Sequence, residues 1–326
     1  MMRREFGLTL GAAAMLPAQS SHAALLARLE PPAGVVDAVV DSDTYNEIDD
    51  QFAVPYAILS TEKMKVHAVY AAPYFNDRSK SAGDGMQKSY EEILRLLTRL
   101  KRDPKGFAYQ GSEAFLTAPK KPVDSPAARN LIERALQPRN GPLYVITVGA
   151  PTNVASAILM EPKILDRIVV VWLGGQPYDW PTAREFNLFQ DLHSSRVLHD
   201  SGVAMVNIPT QNVSEHLRTT THEVKYFLAG KSPLADYLYT EFVKFAEWKA
   251  KPKTFAYSKV IWDISAVAWL VNPKWVPSRV VPSPYLTDDF KYKPGEASRH
   301  PVRVAMDCNR DEIFHDLFRK LVAAKG

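Results

Sequence analysis

The sequence predicts an α/β protein, an open and mostly parallel β-sheet with helices on both faces and a Rossmann-like core. Three observations carry this expectation. Short β-branched runs alternate with segments whose apolar residues recur at three- and four-residue spacings, the pattern of strand, crossover helix and strand. The 326 residues, 46% of them hydrophobic, are enough, once a leader is set aside, for one large α/β domain or two small ones. No internal repeat or break in composition divides them.

Residues 1–23 read as a leader. Arg3-Arg4 precede a short apolar run at 8–16, then Pro17 and a small-residue exit at Ser21-His22-Ala23. This is the layout of a twin-arginine export signal cleaved after Ala23, and the run is shorter than the roughly 20 residues a membrane helix needs. The expected mature chain is a single α/β domain, residues 24–326, exported to the periplasm already folded. Its strands are expected at 35–40, 64–70, 143–148, 168–173 and 205–208. Helices are expected at 50–60, 88–97, 153–160, 192–201 and 264–271, each with an apolar stripe at helical period.

Composition narrows the function classes. The formal charge is +4, falling to +3 once Arg3, Arg4 and Glu5 leave with the signal, and acids and bases are interspersed. With no basic block, nucleic acid is not an expected partner. The single cysteine, Cys308, excludes an intrachain disulfide and a multi-cysteine zinc site.

The densest chemistry stands where the first strand ends. Asp41, Asp43, Glu47, Asp49 and Asp50 fall within ten residues and run directly into a helix. Two unit charges at about 4 Å repel by about 4 kcal/mol at an effective dielectric of about 20, so such a cluster in a cleft calls for a cation. Ligation by several carboxylate oxygens favours Ca2+ over Mg2+, which usually keeps several waters. The simpler alternative is that Asp49 or Asp50 caps the helix. Capping uses one carboxylate and leaves Asp41, Asp43 and one of the pair unexplained. An EF-hand loop does not fit, because its sixth and twelfth positions counted from Asp41 are Asn46 and Phe52. A phosphate-transferring DxDxT loop fails at Tyr45. Ligands of open α/β sheets bind beyond the carboxyl ends of the strands, so partners for the cluster are sought at 71–77, 149–152, 174–190 and Trp262-Asp263.

Four stretches in order resemble one family. Asp41-Ser42-Asp43 with Asp49-Asp50-Gln51-Phe52-Ala53 is similar to the aspartate signature of the inosine-uridine-preferring nucleoside hydrolases. Gly149-Ala150-Pro151-Thr152-Asn153-Val154-Ala155 resembles that family's central turn into a helix, Glu185-Phe186-Asn187 its ribose-binding motif, and Trp262-Asp263-Ile264-Ser265-Ala266-Val267-Ala268 its late helix. The resemblance spans roughly 35–321. It implies a Ca2+ held by Asp43, Asp49, Asp50 and Asp263 with the backbone carbonyl of Val148. It also casts Asp43 as the base that takes a proton from the attacking water, and Glu185, Asn187 and Asn76 as ligands of sugar hydroxyls. The implied reaction is hydrolysis of the N-glycosidic bond of ribonucleosides, and a homo-oligomer is the implied assembly. For Glu185 the residues leave a surface pairing with Arg184 or Arg196 as the alternative. Asn187 and Glu185 are expected to face the cleft across an extended Phe186 that points to the core.

Two departures bear on the substrate. Asn46-Glu47-Ile48 lengthen the opening loop by about two residues, with Glu47 either an added ligand or solvent-facing. Trp262 stands where many members have a histidine that protonates the departing base. An aromatic slot of Trp262 with Trp180, Tyr178 or Tyr74 would suit purine-preferring relatives, the alternative being a core role for Trp262. His193 and His216 are the substitute acids. Other readings are hydrolysis of another ribosyl or glycosyl bond, and a calcium-stabilised nucleoside- or sugar-binding protein without catalysis. Asp43 separates the last from an enzyme, because a binder has no use for a base there.

Overall fold

The computed structural model describes residues 22–249 and 257–324. Helix α1 (His22–Leu29) precedes β1 (Val36–Ser42), α2 (Asp50–Leu59), β2 (Met64–Ala71), α3 (Ala82–Arg99), β3 (Ala108–Tyr109), α4 (Pro126–Leu136), β4 (Leu143–Thr147) and α5 (Thr152–Met160). Then come β5 (Ile168–Leu173), α6 (Phe186–Gln190), α7 (Leu192–Asp200), β6 (Ala204–Ile208), β7 (Arg218–Thr220), α8 (Thr221–Leu228) and α9 (Pro233–Lys249). The chain ends through β8 (Ser258–Val260), α10 (Ile264–Val271), β9 (Ser278–Pro282), β10 (Tyr285–Leu286), β11 (Tyr292–Lys293), β12 (Pro301–Ala305) and α11 (Arg310–Ala323).

Eight strands form one sheet in the order β3-β2-β1-β4-β5-β6-β12-β9. Every pairing in it is parallel except that of β9 with β12 at the edge. Parallel strands are covered on both faces, and their side chains alternate between two cores. Ala38, Val40, Ile146, Val169 and Val171 join one apolar cluster, while Val39, Val145, Val170 and Trp172 join the other. The strand order reverses between β1 and β4. Chains on either side of this switch point leave the sheet in opposite directions and open a crevice at its carboxyl edge.

The five expected strands and five expected helices are present, with shifted ends. β1 runs two residues further, to Ser42, and so carries the acidic segment to the rim. α3 begins at Ala82 rather than 88, because the Ser81 side chain accepts from the Asp84 N–H and starts the helix despite Gly83 and Gly85. The structure adds β3, β9, β12 and helices α1, α4, α8, α9 and α11, among others. In β12 the buried Arg303 interrupts the apolar pattern, and its guanidinium is satisfied by the Leu29 carbonyl and by Glu30 at 2.9 Å. The expected signal sequence lies outside the described residues save for His22 and Ala23, the first two residues of α1. Leu25 and Leu29 of that helix are buried. Among the described residues, no helix is long and apolar enough to cross a membrane.

Candidate active site

The crevice beyond β1 and β4 is a cleft of about 400 Å³. Asp43, Asp49, Asp50, Val148, Asn76, Glu185, Asn187, Trp262 and Asp263 all line it. Thus these nine residues reach one place from five separate segments of the chain.

Local structure explains the acidic wall. β1 ends at Ser42, and the next turn is closed by the Asn46 N–H donating to the Asp43 carbonyl at 2.7 Å. Asp49 and Asp50 then sit at the start of α2, where carboxylates are favoured by the helix dipole. Asp49 makes no side-chain cap hydrogen bond, nor does Asp263 at the start of α10. Capping therefore does not account for either. Asp50 accepts a hydrogen bond from the Ser42 hydroxyl at 2.5 Å. Carboxylate oxygens of Asp49, Asp50 and Asp263 lie within 4.8 Å of one another, and Asp43 stands against the same group. Gly149 makes room for it, since a Cβ there would come 3.1 Å from the Asp43 carboxyl carbon.

The electrostatics suit a cation. Both oxygens of Asp43 and Oδ1 of Asp49 are buried without a hydrogen-bond partner. Burial first, then the neighbouring Asp50, pushes Asp43 well above the usual carboxylate range. Burial, with Asp49, Asp50 and Asp43 adding to it, does the same to Asp263. Asp49 is raised to about 7 by burial, against the opposing pull of Lys259. Buried carboxylates from the end of β1 and the starts of α2 and α10, with the oxygens of Asp43 and Oδ1 of Asp49 unpartnered, are the donor set of a hard, oxygen-liking ion. The cluster fits a metal. Asp41, two residues earlier in β1, accepts from the Asn153 amide at 2.8 Å on Oδ1 while its Oδ2 is buried without a partner, and burial raises it to about 7.

The opposite wall departs from expectation in shape. Phe186 begins helix α6, with Glu185 as its N-cap, so Glu185-Phe186-Asn187 is not extended. As a consequence Phe186 lines the cleft instead of facing the core. Glu185 pairs with neither arginine. Its carboxylate accepts from the N–H groups of Gly175 at 2.8 Å, Asn187 at 3.1 Å and Leu188 at 3.1 Å, and burial raises it to about 7 against those bonds. The Gly175 link needs glycine, because φ there is +71° and a Cβ would strike the Tyr292 hydroxyl. Asn187 donates its amide to the carbonyls of Val148 at 3.2 Å and Leu173 at 3.0 Å. The group it offers a ligand is then its side-chain oxygen. Asn76 donates to Asn46 at 2.5 Å and accepts from the Arg78 N–H at 2.8 Å.

The aromatic slot is not formed as expected. Tyr74 is fully buried, and Tyr178 is packed 4.9 Å from Tyr292 and 5.9 Å from His199 behind the wall. Trp180 is on the surface, and none of these three lines the cleft. Trp262 is half-buried against the core and shares the cleft with Phe186. His193 and His216 are also elsewhere, His216 lying 3.8 Å from Asp307.

Sequence reasoning missed Asn46, Gln176, Phe186, Thr210, Gln211 and Lys249 on the lining. The rule that pointed to the ends of β1, β2, β4 and β5 extends to β6, whose continuation supplies Thr210 and Gln211. Gln176 is locked there, accepting from the Thr210 hydroxyl at 2.9 Å and the Gln211 N–H at 3.3 Å. Lys249 closes α9, and no local motif marks it.

The family model described as inosine-uridine preferring nucleoside hydrolase matches residues 38–315. A pyrimidine-specific ribonucleoside hydrolase, RihA, from Salmonella paratyphi A is 25% identical over 260 residues, covering 72% of this chain and 79% of the relative. Among solved structures, the purine-preferring ribonucleoside hydrolase from Gardnerella vaginalis superposes with a TM-score of 0.65 at 20% identity, over 88% of this chain and 98% of that one. An inosine-guanosine nucleoside hydrolase superposes at 0.70 and 15% identity, over 89% and 99%.

Proposed function

Since the chain belongs to the inosine-uridine preferring nucleoside hydrolase family and is thereby a hydrolase acting on N-glycosyl compounds, we propose that it splits the N-glycosidic bond of ribonucleosides in a calcium-dependent reaction. The observation that carries this is the set of buried, unpartnered oxygens on Asp43 and Asp49 beside Asp50 and Asp263. Asp43, Asp49, Asp50 and Asp263, with the Val148 carbonyl, would hold the ion. When bound, it would lower the pKa of water and so ease removal of a proton by a neighbouring carboxylate.

Each side chain then has a role its geometry allows. Asp43, whose two oxygens have no other partner, takes the proton of the attacking water as its oxygen bonds to the anomeric carbon. The carbon–nitrogen bond breaks with its electron pair going to the base. The acidic wall stabilises the positive charge that develops on the sugar, as in other glycoside hydrolysis. Glu185, Asn187 and Asn76 hold the sugar hydroxyls, and the base lies against Trp262 and Phe186. No histidine among the described residues lines the cleft, so the departing base leaves beside aromatic rings and amides. The relatives named above include pyrimidine-specific and purine-preferring enzymes. The choice of base in this chain therefore turns on Trp262, Phe186, Thr210 and Gln211. We further read residues 24–326 as one exported periplasmic domain preceded by a twin-arginine signal.

Reducing-sugar release from purine, pyrimidine and cationic ribosides, with and without chelator, tests the reading. Release that needs calcium and falls by about 10²–10⁴ in Asp43→Asn supports it. No release from any riboside by protein that still binds calcium would sink it.

A further inference from the structure

The small antiparallel sheet of β7 and β8 takes no part in the chemistry above, yet it brings a buried cation to the acidic wall. Lys259, paired with Thr219 across that sheet, is 9% exposed. Its ammonium lies 2.8 Å from Glu47 Oε2 and 3.8 Å from Asp49 Oδ2, and donates to the Val260 carbonyl at 2.6 Å. Glu47 is therefore neither solvent-facing nor aimed only at the cluster. It comes from the lengthened opening loop, and its partner is a lysine 212 positions later in the chain.

The arrangement divides Asp49 in two. Oδ2 looks toward Lys259, Oδ1 is buried without a hydrogen-bond partner, and the carboxylate has an oxygen within 4.8 Å of Asp50 and Asp263. A fixed ammonium so close to a divalent-ion site opposes the ion's charge. The same ammonium offsets part of the repulsion among buried carboxylates when no ion is present. Glu47, at closer range than Asp49, takes up part of its field.

We propose that Lys259 is a positioning residue and the built-in counter-cation of the acidic cleft: it holds Asp49 and keeps the metal-free cleft folded, and the divalent ion binds against it to a degree set by Glu47. This rests on the reading of the cleft as a cation site. Its signature is that metal-free stability and metal affinity move in opposite directions.

Calcium titration calorimetry and melting with chelator, on the whole chain, test it. Lys259→Met keeps an unbranched stem, one atom shorter, and removes the charge. Its calcium Kd is expected to tighten about tenfold, a change of about 1.4 kcal/mol, while its metal-free Tm falls by several degrees. Glu47→Gln leaves the ammonium unopposed at Asp49, and its Kd is expected to weaken. The double variant has the net charge of the wild type and is expected to return to within about threefold of its Kd, a double-mutant cycle with a large coupling. Weaker calcium binding in Lys259→Met would overturn the inference. So would a double variant as weak as Glu47→Gln, because that is the behaviour of Glu47 as a direct ligand. Should Lys259→Met not fold without calcium, the double variant decides alone. Wild-type protein that takes up no calcium would instead fail the cation reading itself, and this inference with it.

Discussion

Two sites of buried carboxylate in this molecule are built on opposite principles. On α11, Asp316 accepts from the Tyr56 hydroxyl at 2.9 Å, from Lys320 at 2.7 Å and from Arg319 at 2.7 Å. Burial alone would raise its pKa, but the bonds from Lys320 and Arg319 outweigh burial and hold it below the usual value. In the cleft, neither oxygen of Asp43 finds a hydrogen-bond donor, and burial first, then the neighbouring Asp50 carboxylate, drives its pKa up. Buried ionised groups are tolerated when they are paired and hydrogen-bonded. The chain supplies those partners at Asp316 and withholds them at the carboxyl edge of β1 and β4.

The largest expected contrast comes from removing one charge in each place. Asp316→Asn leaves the buried Lys320 with the half-exposed Glu62 at 2.7 Å and the Ser60 hydroxyl at 2.9 Å, and is expected to cost about 3 kcal/mol in urea unfolding with chelator present. Asp43→Asn, in the same assay, removes a like charge from a repelling group and is expected to leave stability unchanged or raised. Comparable losses in both would erase the distinction between the two sites.

A change of pH sharpens it at moderate cost. Burial raises Asp41, Asp49 and Glu185 each to about 7 in the metal-free protein. A carboxyl raised on folding contributes stability that is full below its unfolded pKa of about 4 and is lost as pH climbs through about 7. Asp316, lowered on folding, contributes stability present above its unfolded value and lost as pH falls through its folded one. With chelator, Tm is therefore expected to be higher at pH 5 than at pH 8, and excess calcium should shrink or reverse the difference. A chelated Tm that is flat or rising over this range contradicts the account of the cleft.

The smallest effect concerns the base. Trp262→Ala is expected to lower kcat/KM for purine ribosides by up to about tenfold, the worth of an aromatic contact of about 1.4 kcal/mol, and to spare pyrimidine ribosides more. Equal losses on both would place Trp262 in the frame rather than against the base.

The contrast between the two sites also shows where sequence reading reaches its limit. Asp43, Asp49 and Asp50 were legible because they crowd within eight residues at the end of a strand. Asp263, Asn187 and Glu185 were legible only through motif order, since nothing local marks a single aspartate or asparagine. Tyr178 and Trp180 looked suited to the base slot by type and neighbourhood, but the turn at 176–184 sends one inward against Tyr292 and the other to the surface. Phe186 was assigned to the core because an extended chain alternates its faces. The Glu185 carboxylate instead starts a helix there, and a helix turns successive side chains by about a third of a circle rather than a half.

The order of apolar runs and helical periods was enough by itself to determine an α/β sheet with its acidic segment at a strand end, because hydrophobic patterning and the local crowding of charge are properties of neighbours in the chain. Only the tertiary structure decided that Lys259 answers Glu47 and Asp49, that Phe186 faces the cleft, and which buried carboxylates find partners. Those outcomes depend on which distant segments the strand order brings within about 4 Å, and at that range burial and Coulomb forces act without regard to separation along the sequence.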